Sequence, residues 1–218
     1  LTCVLLLGSA ANCRSLHADD LAAQPASTAT PAADVADWTE LNEHWSAINF
    51  GGEGRVEIND QGIKLGLGSP LTGVVWKGEV AREQYELSLE ARRVEGLDFF
   101  CAVTFPVGPD HVSFVVGGWG GGVVGISSID GYDASENPTT QYKSFKMNQW
   151  YRIKIRVSDQ AIQCWIDDRN LVDQPRQGHT FDIRFEMDES TPLGISAFQC
   201  KSELRNIKLR HLPVTENE

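Results

Sequence analysis

Basic residues are scarce in this chain. Nineteen Lys and Arg stand against 30 Asp and Glu in 218 residues, a formal net charge of −11. Such a surface repels phosphate backbones and anionic bilayers, which excludes nucleic acid and acidic membrane as partner classes and leaves a neutral or cationic ligand. Long apolar runs are missing too. No stretch approaches the roughly 20 apolar residues needed to cross a bilayer, so no transmembrane segment is expected. Cysteine is sparse: beyond the N-terminal region only Cys101, Cys164 and Cys200 remain, an odd number without metal-type spacing. They read as buried small hydrophobes, with Cys164 to Cys200 the one disulfide worth testing. No His pair has ligand spacing, no Ser-His-Asp signature occurs, and no long helical periodicity is found.

What is present suffices for one core. With 41% of residues hydrophobic, a single domain of about 180 residues can be buried. Val4-Leu5-Leu6-Leu7 followed by Gly8-Ser9-Ala10-Ala11 reads as part of an export signal over 1–18, begun inside the leader and cleaved after Ala18 or Ala11. Residues 19–37, rich in Ala, Pro, Thr and Ser, read as a linker that cannot fold alone. A domain over 38–212 and a tail over 213–218 complete the expectation, with the mature protein outside the cytoplasm.

From Trp38 onward short apolar alternations are separated by Gly, Asp, Asn and Pro. The sharpest is Tyr151 to Val157, where Tyr151, Ile153, Ile155 and Val157 alternate with Arg152, Lys154 and Arg156. The turn Ser158-Asp159-Gln160 leads to a second strand over Ile162 to Ile166, and Asp167-Asp168-Arg169-Asn170 marks the next reversal. Further strands are predicted at Val56–Ile58, Ile63–Leu67, Val74–Trp76, Tyr85–Arg92, Phe99–Phe105, His111–Val116, Val123–Ser127, Phe181–Glu186, Leu193–Phe198 and Leu204–Arg210. A dozen short strands in one domain imply an all-β sandwich of two packed antiparallel sheets. In Tyr85 to Arg92 the even positions Glu86, Ser88, Glu90 and Arg92 share the face away from the core. That face is either plain solvent or the hollow of a curved sheet where a ligand sits.

Trp150-Tyr151, the hairpin carrying Asp167-Asp168, the strand Pro192-Leu193-Gly194-Ile195 and the closing Leu204-Arg205-Asn206-Ile207-Lys208-Leu209 resemble the 3-keto-disaccharide hydrolase domain family. Trp38-Thr39-Glu40-Leu41-Asn42 and Tyr85 to Glu90 fit its beginning, so the resemblance covers Trp38 to Leu212. It implies a concanavalin A-like jelly roll, secreted or periplasmic, acting on glycosides oxidised at C3 by elimination or net hydrolysis, in some members with a divalent metal. The chain departs from the family at Leu97 to Phe105, where an Asn-Ser-Gly-Ile-type strand ending in Arg is usual. The glycine-rich run that follows, Gly117 to Gly131, marks a divergent branch.

The candidate chemistry lies in that divergent middle. The glycines around Trp119 are no phosphate cradle, since no Lys and no helix follow them. They either let the indole stand free to stack on a sugar or place it as a plug at a bulge. Asp130, Asp133, Glu136, Asn137, Thr139 and Thr140 form an oxygen-rich loop, a solvated surface or a site for sugar hydroxyls or calcium. Elimination from a 3-ketosugar needs a base at C2 and an acid or metal at the leaving oxygen. Glu90, Asp130 and Glu186 are the catalytic candidates; Arg92, Asp98, His111, Trp119, Asn137 and Arg184 are the substrate-binding ones. The Glu-x-Asp-x-x-Glu strand of jelly-roll glucanases is absent. Three functions therefore stand open: a hydrolase or lyase of 3-keto-glycosides, a noncatalytic carbohydrate-binding module, and a structural surface protein.

Overall fold

A computed structural model describes residues 37–213. The export signal, all of the linker but Asp37, and the tail beyond Pro213 lie outside the described residues. In chain order the first strands are β1 (Thr39–Glu40), β2 (Trp45–Ala47), β3 (Val56–Asn59), β4 (Gly62–Leu65) and β5 (Leu71–Trp76). Then come β6 (Tyr85–Gly96), β7 (Cys101–Val107), β8 (Asp110–Gly118), β9 (Val123–Ser127) and β10 (Gln141–Tyr142). The last are β11 (Tyr151–Val157), β12 (Ala161–Ile166), β13 (Arg169–Pro175), β14 (Gly194–Phe198) and β15 (Cys200–His211). One 3-10 helix, Phe185–Ser190, precedes β14.

The first sheet runs β13-β12-β11-β6-β15-β4-β3, with β1 also on β15, and the second runs β10-β9-β8-β7-β14-β5-β2. Every pairing is antiparallel. The expected all-β sandwich of two antiparallel sheets is what forms. Its core follows from the period of two: Tyr85, Leu87, Leu89 and Ala91 of β6 and Ile153, Ile155 and Val157 of β11 meet Val103 and Phe105 of β7 and Phe114 of β8 across the sandwich. Each fully buried side chain of this size stabilises the fold by about 1.5–3 kcal/mol. The Tyr85 hydroxyl ties the sheets together by donating to the Pro106 carbonyl at 2.6 Å.

Two expectations need correction. The segment 181–186 is not a strand: Phe181 makes an isolated bridge to Ile129, and the 3-10 helix begins at Phe185. Ile183 and Met187 pack against Ala102 and Val115 on a sheet face that already exists, so the segment covers a face rather than extending an edge. Strand β13 was not expected from its polar sequence; it is held in register by β12. As expected, the three cysteines among the described residues, Cys101, Cys164 and Cys200, are free and buried. Cys164 and Cys200 lie on strands separated by β11 and β6, about 14 Å at ordinary strand spacing and beyond the reach of a disulfide.

Candidate functional site

Each sheet has one face in the core and one turned outward, and the two outward faces differ. On the first sheet, β6 presents Glu86, Ser88, Glu90 and Arg92, flanked by β11 and β15. Glu86 pairs across strands with Arg156 and Arg210; its Oε1 accepts Arg156 Nε–H at 2.7 Å and its Oε2 accepts Arg210 Nε–H at 2.7 Å. The Glu86 side chain is fully covered. Burial opposes its charge, yet the hydrogen bonds from Arg210 and Arg156 prevail and hold its pKa below the ordinary 4.5. Glu90 accepts from Arg205 Nε at 2.7 Å and from Asn206 Nδ2 at 3.2 Å, and Arg92 Nε donates to Glu203 at 2.8 Å. The guanidinium of Arg205 lies 4.0 Å from the centre of the Trp150 ring and that of Arg92 lies 4.7 Å from it. These pairs tile the middle of the face, and beside them Arg92, Trp150, Glu203 and Arg205 line an open polar hollow of about 440 Å³ with Asn59, Gln61 and Lys64.

The second sheet turns small residues outward. Ala102 and Thr104 of β7, Ser113 of β8, Gly125 and Ser127 of β9 and Ser196 of β14 occupy the positions that alternate with its core residues. Short side chains leave space above the sheet, and segments 128–140 and 181–192 fill part of it. Asn137 fastens the first of these: its Nδ2 donates to the carbonyls of Ile126, Tyr132 and Asp133 at 2.7–3.0 Å. Met187 and Ile183 seat the second.

Between these covers and the turn after β8 a cleft of about 320 Å³ stays open. Its walls are Pro70, Leu71, Phe99, Met187 and Phe198, with Trp119 at one side. Asp98, Arg184 and Glu186 supply its polar rim. A recess of about 40 Å³ continues from it over Ala102, Ser113, Val115 and Ser127. Phe99 and Phe198 pack with ring centres 5.6 Å apart and planes tilted by 39°. Trp119 is 45% exposed, which leaves the indole open to a ligand.

The glycine-rich run is what delivers Trp119 to the rim. Trp119 itself has φ 48°, in the left-handed region that a bulky residue seldom adopts. Arg93, nearly fully buried, reaches through the turn: its Nη2 donates to the carbonyls of Asp98, Gly117 and Gly121 at 2.9, 3.1 and 3.2 Å. A Cβ at Gly117 would stand 2.6 Å from that guanidinium, and one at Gly121 would stand 2.7 Å from the Leu97 carbonyl, so only glycine fits at either place. Asp98 completes the clamp by accepting from Phe99 N–H at 2.7 Å and from Gly120 N–H at 3.1 Å.

Electrostatics at the rim are settled by Arg184. Its Nη1 donates to Asp133 at 2.6 Å and its Nη2 to Glu186 at 2.9 Å. That hydrogen bond, against partial burial, lowers the Glu186 pKa below its ordinary value, so Glu186 is an acceptor at neutral pH. Asp133 also accepts from Ser127 Oγ at 3.0 Å. Arg184 and the buried Arg93 beside Asp98 are two cations against Asp98, Asp133 and Glu186, which leaves the rim net negative by one charge.

The structure thus brings together Asp98, Trp119, Arg184 and Glu186 of the residues named from sequence. It does not bring the others to them. Glu90 and Arg92 belong to the outer face of the first sheet, where they pair with Arg205 and Glu203 and Arg92 lines the polar hollow. Asp130 is engaged by Thr180 N–H at 2.8 Å and by His179 Nδ1 at 2.7 Å, which together lower its pKa. Asn137 is a buried fastener whose amide is fully used. His111 lies by a separate hollow with Asp182 and Asp188, its Nε2 buried without a partner and its pKa lowered by burial. A family profile described as the 3-keto-alpha-glucoside-1,2-lyase-like domain matches residues 30–210. The chain belongs to that family.

Solved structures similar to this lyase-like domain share its fold at low identity. The carbohydrate-binding module CBM66 from Bacillus subtilis matches with a TM-score of 0.54 at 12% identity, covering 79% of this chain and 98% of the module. The transglycosylase Crh5 matches at 0.51 and 10%, covering 82% and 89%. A carbohydrate esterase from the Shiga toxin-encoding bacteriophage phi24B matches at 0.50 and 11%, covering 78% and 90%. No curated protein matches the chain. These likenesses show the fold, a jelly-roll sandwich, and no helix among the described residues is long and apolar enough to cross a membrane.

The divalent metal that some members use finds no fitting donor set here: among the described residues no three His, Cys, Asp or Glu side chains gather to hold an ion. In the 130–140 loop the oxygens expected to serve calcium are taken internally, Thr139 Oγ1 by Asn137 Oδ1 and the Ile126 amide, and Thr140 Oγ1 by the Ala134 and Asn137 carbonyls. Sequence reasoning missed Arg93, Phe99, Met187 and Phe198. Arg93 did carry a signal, since it puts a charge where the period of β6 calls for an apolar residue.

Proposed function

We propose that this domain recognises an uncharged glycoside in the cleft of the second sheet. The observation that carries the reading is the exposed Trp119 indole, clamped at the rim beside ionised acceptors. A pyranose lays its CH face on such a ring while Glu186 and Asp98 accept from its hydroxyls and Arg184 donates. Membership of a family named for 3-keto-glucosides supports a glucoside as the sugar. Titration with glucosides and their 3-keto derivatives, followed by indole fluorescence and calorimetry, tests it. Trp119→Ala is expected to weaken binding about tenfold or more, and unchanged affinity would remove the proposal.

A second reading, cleavage of the 3-keto-glucoside, draws on the same family and on Glu186. In it the Glu186 carboxylate takes the C2 proton that the 3-keto group acidifies, a C1=C2 bond forms, and the C1–O electron pair leaves with the aglycone. Arg184 makes Glu186 a weak base, and for that reason recognition stands first. Release of aglycone from a 3-keto-glucoside, lost in Glu186→Gln with binding kept, supports the second reading; binding without release leaves the first alone. The leader-like N-terminus supports export, which N-terminal sequencing of secreted protein checks.

A further inference from the structure

We infer that the cleft selects a glycoside whose aglycone is a flat, uncharged apolar ring, with the sugar at the rim and the aglycone on the inner wall. The inference rests on the recognition reading above and names its ligand class. The cleft has two chemically distinct sets of lining residues. Asp98, Arg184 and Glu186 are charged, and Leu71, Phe99, Met187 and Phe198 are apolar, with the Trp119 indole beside both.

Three observations favour an apolar ring over a second sugar. The wall of Leu71, Phe99, Met187 and Phe198 offers no side-chain oxygen or nitrogen, so a pyranose laid on it would lose water from its hydroxyls with nothing in return. The tilted Phe99–Phe198 pair, 5.6 Å between centres, presents an aromatic corner suited to edge or offset stacking, and the flexible Met187 thioether adapts around it. The volume of about 320 Å³ lies near the small end of ligand pockets, enough for one ring beside a rim-bound sugar. Charge supplies the other limit. Arg184 already serves Asp133 and Glu186, so a uronate, sulfate or phosphate meets a net negative rim and is disfavoured.

The test uses the whole protein and calorimetry with methyl glucoside, p-nitrophenyl glucoside, cellobiose and free p-nitrophenol, each glycoside of both anomeric forms and also as its 3-keto derivative. The expected result is a p-nitrophenyl glucoside about tenfold or more tighter than the methyl glucoside. Phe198→Ala should erase that advantage, and Phe198→Leu, which keeps apolar volume, should retain part of it. Equal affinity for methyl and p-nitrophenyl glucosides, or tighter binding of cellobiose, overturns the inference and leaves the recognition reading intact. Free p-nitrophenol binding as tightly as its glucoside removes the sugar from the account and overturns both. Because the ligand series alone decides, a variant that fails to fold does not shield the inference.

Discussion

The outer faces of the two sheets are made by one construction, alternate residues of antiparallel strands, and they come out opposite. On the first, long charged side chains from β6, β11 and β15 meet in register and tile the surface, Arg205 stacking on Trp150 and Glu86 sealed between two arginines. On the second, Ala102, Thr104, Ser113, Gly125 and Ser127 leave room, segments 128–140 and 181–192 settle over them, and a cleft persists where the covers stop. Residue size, more than charge, gives the second face its apolar cleft, whereas the hollow on the first face is polar. On the charged face Glu86, Glu90 and Arg92 are already held by Arg156, Arg210, Arg205 and Glu203.

That contrast breaks most visibly at Glu86. Glu86→Ala leaves Arg156 and Arg210 without their shared carboxylate in the middle of the sheet, and should cost about 2–3 kcal/mol of stability, less than a fully buried pair because both arginines reach solvent. Ligand affinity should not change. Its folded pKa lies below 4.5, so the stabilisation is complete above 4.5 and is lost as pH falls through the lowered value. Urea denaturation of both proteins across that range should show the difference shrinking towards acid. A Glu86→Ala protein of full stability that loses sugar binding would reverse the assignment of the two faces.

Which face carries the site was not legible from sequence, and the reason is physical. The strands β6 and β11 announce themselves by period two, so the core side of each sheet could be read directly. Glu90 and Arg92, however, look like catalytic groups until their partners are known, and those partners, Arg205 and Glu203, come from β15, more than a hundred residues away. Trp119, Asp98, Arg184 and Glu186 were legible as unusual residues near glycine turns and charge pairs. Phe99, Met187 and Phe198 were not, since an apolar residue beside a strand is assigned to the core by default, and only the small residues of the second sheet reveal that they face a cleft.

Trp119 sharpens the contrast from the other side. It is held at φ 48° and is 45% exposed, so strain offsets part of what its burial contributes to the fold. Trp119→Gly should bind glycosides about tenfold more weakly. Its stability should fall by no more than about 1–2 kcal/mol, because glycine adopts the left-handed conformation without penalty and so offsets part of the lost burial. Thermal melts and calorimetry on one preparation check both halves. A Trp119→Gly protein much less stable than the parent would mean that the indole is structural packing after all, and that the cleft lacks its platform.

The smallest effect is expected at Arg184, and it compares two arginine–carboxylate units directly. Arg184 spans Asp133 and Glu186 at the rim with its side chain about half exposed, where Glu86 is wholly covered. Solvent screens the rim pairs, so Arg184→Gln should lower stability by less than about 1 kcal/mol at neutral pH. The sign with pH matches that of Glu86, since the Glu186 pKa is also lowered, chiefly by the Arg184 hydrogen bond. The contribution is present above the ordinary 4.5 and fades as pH falls through the folded value. Added salt separates the two units: 1 M NaCl should remove most of the Arg184 effect, where the Debye length is about 3 Å, and leave most of the Glu86 effect in place. Equal salt sensitivity would mean that water reaches Glu86 as freely as it reaches the rim, and the middle of the first face would then be no better sealed than the rim.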